Sequence, residues 1–183
     1  MIAALAYIIE AVTNLVLFIL LLRFWMPWFR VDFRNDVAQA ILKVTAPLVI
    51  PLRRILPPIG RIDTATVVAT IAIQYLGLLI LIYLYSGSTL PFLSVLYTSV
   101  ILLAVLSCYM FMLIIFVSIL LGWFAPYVHN PVTAMVYAIS EPLLRPFRRL
   151  IPPLGGFDIS PVVPLILLGA MTRLLATLQP FNI

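Results

Sequence analysis

Few residues in this chain have the types and spacing for chemistry, and most of them are arginines. Arg53-Arg54 and Arg148-Arg149, with Arg145 beside the second pair, form two basic clusters, followed by Asp63 and Asp158 respectively. Arginine outnumbers lysine ten to one, and its planar fork suits bidentate contact with phosphate or carboxylate better than an ammonium does. The clusters are candidates for holding anionic lipid headgroups or an acidic partner; the alternative is that they only set membrane topology and snorkel. Asp63 and Asp158 can cap a returning helix or pair with the arginines. Neither has a second carboxylate or histidine recurring beside it in both places, so no acid and base pair forms.

A second set lies in apolar surroundings. Glu10 and Arg173 are the formal charges deep within hydrophobic stretches, where a charge is costly enough to need a partner or a task. Their similar distance from the two ends of the chain predicts an ion pair, with an ion or proton pathway as the alternative. Asn14, Gln74, Ser107 and Ser118 are expected to hydrogen-bond between helices. His129 stands alone as an interfacial residue. One cysteine, Cys108, excludes an internal disulfide and a cysteine-based metal site. There is no glycine-rich phosphate loop, no His and carboxylate ligand set, and no nucleophile with a base. A non-enzymatic protein without metal or cofactor is expected.

The elements that position these groups follow from composition. Hydrophobic residues make up 64% of the 183 and charged residues 9%, with a mean hydropathy of +1.21. Soluble domains carry about 25% charged residues, so this chain belongs in a bilayer. Residues 2–24, 64–85, 93–122 and 159–178 are each long enough to cross the hydrocarbon core, which takes about 20 helical residues. The third is long enough to tilt or extend past the interface. The start of the chain has no basic residue before its apolar run, and Glu10 interrupts that run, so the first segment reads as a span and not a cleaved signal.

The chain also repeats itself at an offset of 95 residues. Trp28-Phe29, Asn35, Val37, Pro47-Leu48, Pro51, Arg53-Arg54, Pro57-Pro58, Gly60 and Asp63 recur as Trp123-Phe124, Asn130, Val132, Pro142-Leu143, Pro146, Arg148-Arg149, Pro152-Pro153, Gly155 and Asp158. Shared apolarity does not generate matched prolines, arginines and aspartates, so the unit is a duplicated module. Its boundaries fall at 1–88 and 89–183, two repeats within one membrane domain.

Each repeat reads as span, long connection, span. Seven basic residues (Arg23, Arg30, Arg34, Lys43, Arg53, Arg54, Arg61) lie in or at the edge of the first connection, and Arg145, Arg148 and Arg149 lie in the second; the short link from Ser86 to Phe92 has none. Basic residues stay on the cytoplasmic side, which places both connections there and both termini opposite. The two hairpins then enter with the same polarity, as parallel repeats. The net charge of +5 is accounted for by topology and anionic lipid, leaving no need for nucleic acid. Within each connection Asn35 or Asn130 caps an interfacial amphipathic helix, and Pro131 fits its first position. That helix is expected to end near Pro47 or Pro142. A short helical turn follows, started by Thr45 or Ser140 and stopped by Pro57-Pro58 or Pro152-Pro153, with a sharp turn at Gly60 or Gly155 and a cap from Asp63 or Asp158.

The string from Ser140 to Pro161, SEPLLRPFRRLIPPLGGFDISP, resembles the signature of the YggT family of integral membrane proteins. Thr45 to Asp63 is a more diverged copy, with Arg61 in place of the second glycine. The resemblance covers essentially the whole chain as two family modules. It implies a bacterial plasma (inner) membrane protein linked to osmotic tolerance and potassium uptake, with relatives near cell-division genes or serving chloroplast cytochrome-complex assembly and nucleoid organisation. Taken together, the expected fold is an all-α membrane protein of four transmembrane helices in two tandem parallel repeats. The expected function is a scaffold or assembly factor with a basic cytoplasmic platform for anionic membrane lipids or membrane and cytoplasmic partner proteins, including further copies of itself. A channel or transporter component in ion uptake is the alternative.

Overall fold

The computed structural model describes residues 2–60, 62–87, 90–124, 127–150 and 158–179. Pro152, Pro153 and Gly155 of the second connection, and Arg61 of the first, lie outside the described residues. Those described are helical, with no β-strand among them beyond an isolated bridge between Ile59 and Ile62. The helices are α1 (Ile2–Trp25), α2 (Asp36–Arg53), α3 (Thr64–Ser86), α4 (Phe92–Phe124), α5 (Pro131–Leu150) and α6 (Val162–Thr177).

Three of them, α1, α3 and α4, are long and apolar enough to cross a membrane. At 1.5 Å per residue, α4 reaches about 50 Å and overshoots the hydrocarbon core. The fourth expected span is shorter than 159–178. Asp158 turns its carboxylate back onto Ser160, accepting from its amide at 3.0 Å and its hydroxyl at 2.5 Å, so the first residues form a turn and the helix starts at Val162. Its 16 residues reach about 24 Å, less than the core thickness.

Local sequence accounts for the helix ends. Pro27 stands two residues past the end of α1, and Arg30, at φ +53°, reverses the chain; the Val31 amide donates to the Met26 carbonyl at 3.1 Å, closing the turn over two buried side chains. Asn35 then caps α2, its Oδ1 accepting from the amides of Val37 and Ala38. At α5, Asn130 Oδ1 accepts from the Thr133 amide at 2.8 Å while Thr133 Oγ1 accepts from the Asn130 amide at 3.0 Å. Gly87, at φ +63°, ends α3 in the left-handed conformation that favours glycine.

The amphipathic helices do not stop at their prolines. α2 runs through Pro47 and Pro51, and α5 through Pro142 and Pro146, so the expected break and second helical turn are replaced by one helix in each copy. The reason is tertiary. Ala38, Ile41, Thr45 and Val49 form a buried stripe that continues past Pro47, and Met135, Ile139 and Leu144 do the same past Pro142. All four prolines face outward, so the carbonyls that lose a donor lie on the solvated side.

Packing follows the same scheme in both halves. α1 packs on α2 and α3, and α4 on α5 and α6; α3 also packs on α4, and the halves join through α1 with α4 and α2 with α5. At that joint Leu21, Met26, Val31, Ala38 and Ile41 meet Met110, Phe111, Ile114, Met135 and Ile139 in the main core. Trp25 and Phe29 both pack edge-on against Phe111, at 5.0 and 5.6 Å between ring centroids. Asn35 Nδ2 donates to the Pro131 carbonyl at 2.7 Å, tying the start of α2 to the start of α5. The C-terminal arms of α2 and α5, with their arginines, therefore lie at one end of the bundle, called the arm end below. The start of α1 and the link between α3 and α4 lie at the other.

Candidate functional site

The arm end is built around Asp63. It occupies the N-cap position of α3 but makes no capping bond to the helix backbone. Its carboxylate is used by side chains instead: Arg53 Nη2 donates to Oδ2, Thr66 Oγ1 donates to the same oxygen at 2.8 Å, and Arg23 Nη2 lies 3.7 Å away. Arg23, in the last turn of α1, is 6% exposed, and its Nη1 donates to Thr45 Oγ1 at 2.7 Å and to the Leu42 carbonyl at 3.3 Å. One carboxylate thus joins α1, α2 and α3. Burial raises the Asp63 carboxyl pKa, but the hydrogen bonds from Arg53 and Thr66 and the nearby guanidinium charges outweigh it and hold it below the ordinary carboxylate value.

The Arg53 to Asp63 bond also closes the loop between them. Thr64 Oγ1 donates to the Pro57 carbonyl at 2.8 Å, Ile59 and Ile62 exchange backbone hydrogen bonds, and Gly60, at φ +61°, makes the reversal. The second copy has the equivalent bond, Arg148 Nε to Asp158 Oδ2 at 2.8 Å. It lacks the buried cation, because Ser118 stands where the first repeat has Arg23. Arg148 pairs in addition with Glu141, a residue on its own helix, and the cluster is exposed. For Asp158 too, burial raises the pKa and the bonds from Ser160 and Arg148 more than reverse it. Ser140, the counterpart of Thr45, keeps a buried hydroxyl without a hydrogen-bond partner among the described residues.

The five basic candidates therefore fall into two kinds. Arg53 and Arg148 are bound to the chain's own carboxylates. Arg54, Arg145 and Arg149 are exposed and form no ion pair among the described residues. They are the cations left available to something outside the chain.

Glu10 and Arg173 are not brought together. α1 and α6 do not touch, both side chains are exposed, and no ion pair joins them among the described residues. Equal depth from the two ends sets height in a bilayer but not adjacency, and α4 stands between the two helices. Glu10 instead lines a cavity of about 780 Å³ between α1, α3 and α4, at the end remote from the arms. Asn14 and Gln74 line it too, as does Gln179 just after α6. Gly77 permits the close approach of α1 and α3 in its wall, since a Cβ there would meet Thr13 Cγ2 at 2.8 Å.

The family model described as CCB3/YggT matches residues 2–84 and 91–179, two segments that together cover nearly the whole chain. This chain belongs to the CCB3/YggT family. A Pseudomonas aeruginosa protein, PA0392, is 40% identical over 169 residues, spanning 92% of this chain and 86% of its own length. Escherichia coli YggT is 32% identical over 166 residues, 90% and 85% of the two chains. An Arabidopsis thaliana protein, YlmG homolog protein 2, chloroplastic, matches over 62 residues at 39% identity, 32% of this chain and 23% of its own. No solved structure matches.

In this family member, sequence reasoning overlooked two features of the site. Arg23 counts among the topology-setting charges at the edge of the first connection; its place two residues before Trp25, still within α1, is the signal that it turns inward. The cavity groups Glu10 with Asn14 and Gln74, and an i, i+4 spacing already puts Glu10 and Asn14 on one face of α1.

Proposed function

We propose that this protein is a non-enzymatic membrane scaffold or assembly factor of the bacterial inner membrane, whose two arms form a cationic platform for anionic lipid headgroups or acidic segments of partner proteins. The observation that carries this reading is the division of labour within each arginine pair. One arginine is tied to an aspartate and holds the arm in shape; the other faces outward and forms no ion pair among the described residues. Arg145 adds a third outward charge in the second arm. Because α2 and α5 pack together, the two arms bring these charges to one end of the bundle, where guanidinium groups can engage phosphates bidentately. The excess of basic residues in the connections favours a cytoplasmic position for that end, with both termini opposite. Association with further copies would extend the platform.

Native mass spectrometry of the protein extracted from membranes of mixed lipid tests the reading, together with in vivo crosslinking from positions 54 and 149. The wild type is expected to retain anionic lipid or to capture specific proteins. The variant combining Arg54→Ala, Arg145→Ala and Arg149→Ala is expected to lose most of that retention while folding normally. Equal retention and an identical crosslink pattern would overturn it.

The cavity favours a second reading, a channel or transporter component. It gathers Glu10, Asn14 and Gln74 from α1 and α3, while the main core beside the arms is closely packed. Flux of potassium into proteoliposomes, lost in Glu10→Gln, would support it over the first.

A further inference from the structure

The cavity between α1, α3 and α4 has the form of a binding site for a small molecule. About 780 Å³ lies within the range of ligand pockets, and its lining is mostly apolar with a few polar groups, as such sites are. Among the described residues, Glu10 is the one lining residue with a formal charge. Gln74 is 8% exposed, yet its amide has no hydrogen-bond partner among the described residues. The amide borders the cavity and is accessible from it. Asn14, one turn from Glu10 on α1, supplies a second amide, and Tyr85 and Tyr109 stand in the wall.

We propose that this cavity binds an organic ammonium compound, with Glu10 as counter-charge, Gln74 and Asn14 as hydrogen-bonding groups, and Tyr85 as an aromatic neighbour. A carboxylate sets the sign of the ligand's charge. A bare metal ion is a poor fit, because it needs oxygens closing around it on all sides, whereas Leu78, Leu102 and Leu106 form much of this lining. An ammonium on an apolar body matches this lining: charge at Glu10, apolar contact with the leucines, and Tyr85 toward the same end of the wall. The ammonium can belong to a free solute or to the headgroup of an aminolipid entering from the bilayer. The proposal concerns binding; it does not require that anything crosses the membrane, and it does not involve the arms.

The test is calorimetric titration of the purified full chain in a lipid-free detergent with tetramethylammonium, choline and 3,3-dimethylbutan-1-ol, the uncharged isostere of choline. Saturable binding of the ammonium compounds is expected, at least about tenfold tighter than the isostere, a difference typical of one charge and its aromatic contacts. Glu10→Gln is expected to remove that preference, Gln74→Leu to weaken binding severalfold, and Val44→Ala, on the exposed side of α2, to change nothing. The comparison of choline with its isostere on the wild type stands even if a variant fails to fold. Repeating the titration in nanodiscs of phosphatidylethanolamine and of phosphatidylglycerol separates the sources: weaker choline binding in the former identifies the headgroup as occupant, and equal binding identifies a free solute. Equal affinity for the isostere, an unaltered Glu10→Gln variant, or no saturable binding of either ammonium compound would overturn the proposal.

Discussion

Asp63 and Asp158 occupy the same place in their repeats and hold equivalent arginines, yet their surroundings give them different weights. Asp63 also neutralises Arg23, a buried guanidinium, so removing it strands a charge away from water. Such stranding costs about 3–5 kcal/mol. Asp158 and Arg148 have side chains 36% and 39% exposed, where a pair is worth about 0–1 kcal/mol. Asp63→Asn is therefore expected to destabilise the protein by about 3 kcal/mol and Asp158→Asn by no more than about 1 kcal/mol, as read by thermal unfolding in detergent. Equal losses would mean that Arg23 finds its stabilisation elsewhere. The same carboxylate sets an acid limit. Its pKa is lower folded than unfolded, so the unfolded chain takes up the proton first as pH falls. The stabilisation is complete above the ordinary carboxylate value of about 4 and is lost as pH drops through the folded pKa. The wild-type unfolding temperature is expected to fall on acidification below about pH 4, and Asp63→Asn to show a shallower fall; parallel curves would assign the acid sensitivity to other groups.

At the scale of the element, α2 and α5 show how a buried stripe overrides a local rule. Pro142 removes a backbone donor on the exposed side, whereas Leu144 is 1% exposed within the packing that keeps the helix continuous. Pro142→Ala is expected to leave stability unchanged or raise it, given proline's cost in a helix interior. Leu144→Ala is expected to cost about 2–5 kcal/mol. Chemical denaturation of both variants checks the ranking, and the reverse order would show that the prolines shape the arm. The contrast also marks what could be read from the sequence. Asn35 and Asn130 act on amides two or three residues away, so the start of each helix is legible locally. The continuation through Pro47 and Pro142 depends on what α1, α3 and α4 present to the stripe, which a residue-by-residue rule does not contain. The Glu10 to Arg173 pairing failed likewise, because it required knowing that α1 and α6 are not neighbours.

At the scale of the molecule, a repeated sequence has become two similar halves with different fittings. The first half has a buried Arg23 network and contributes Glu10, Asn14 and Gln74 to the cavity; the second has an exposed cluster at Arg148, with Arg145 and Arg149 nearby forming no ion pair among the described residues. Family membership was legible from the Pro-Arg-Arg-Pro-Pro signature, and the family model matches both halves. The central claim is that the two arms face the same side of the membrane, the cytoplasm, with the cavity end opposite. Labelling of single cysteines in spheroplasts with a membrane-impermeant maleimide tests it most directly, using Arg54→Cys, Arg149→Cys and Leu90→Cys in a Cys108→Ser background. The account predicts that Leu90→Cys is labelled from outside, while Arg54→Cys and Arg149→Cys react only after lysis. Labelling of position 54 on one side and 149 on the other, or of both from outside, would contradict it.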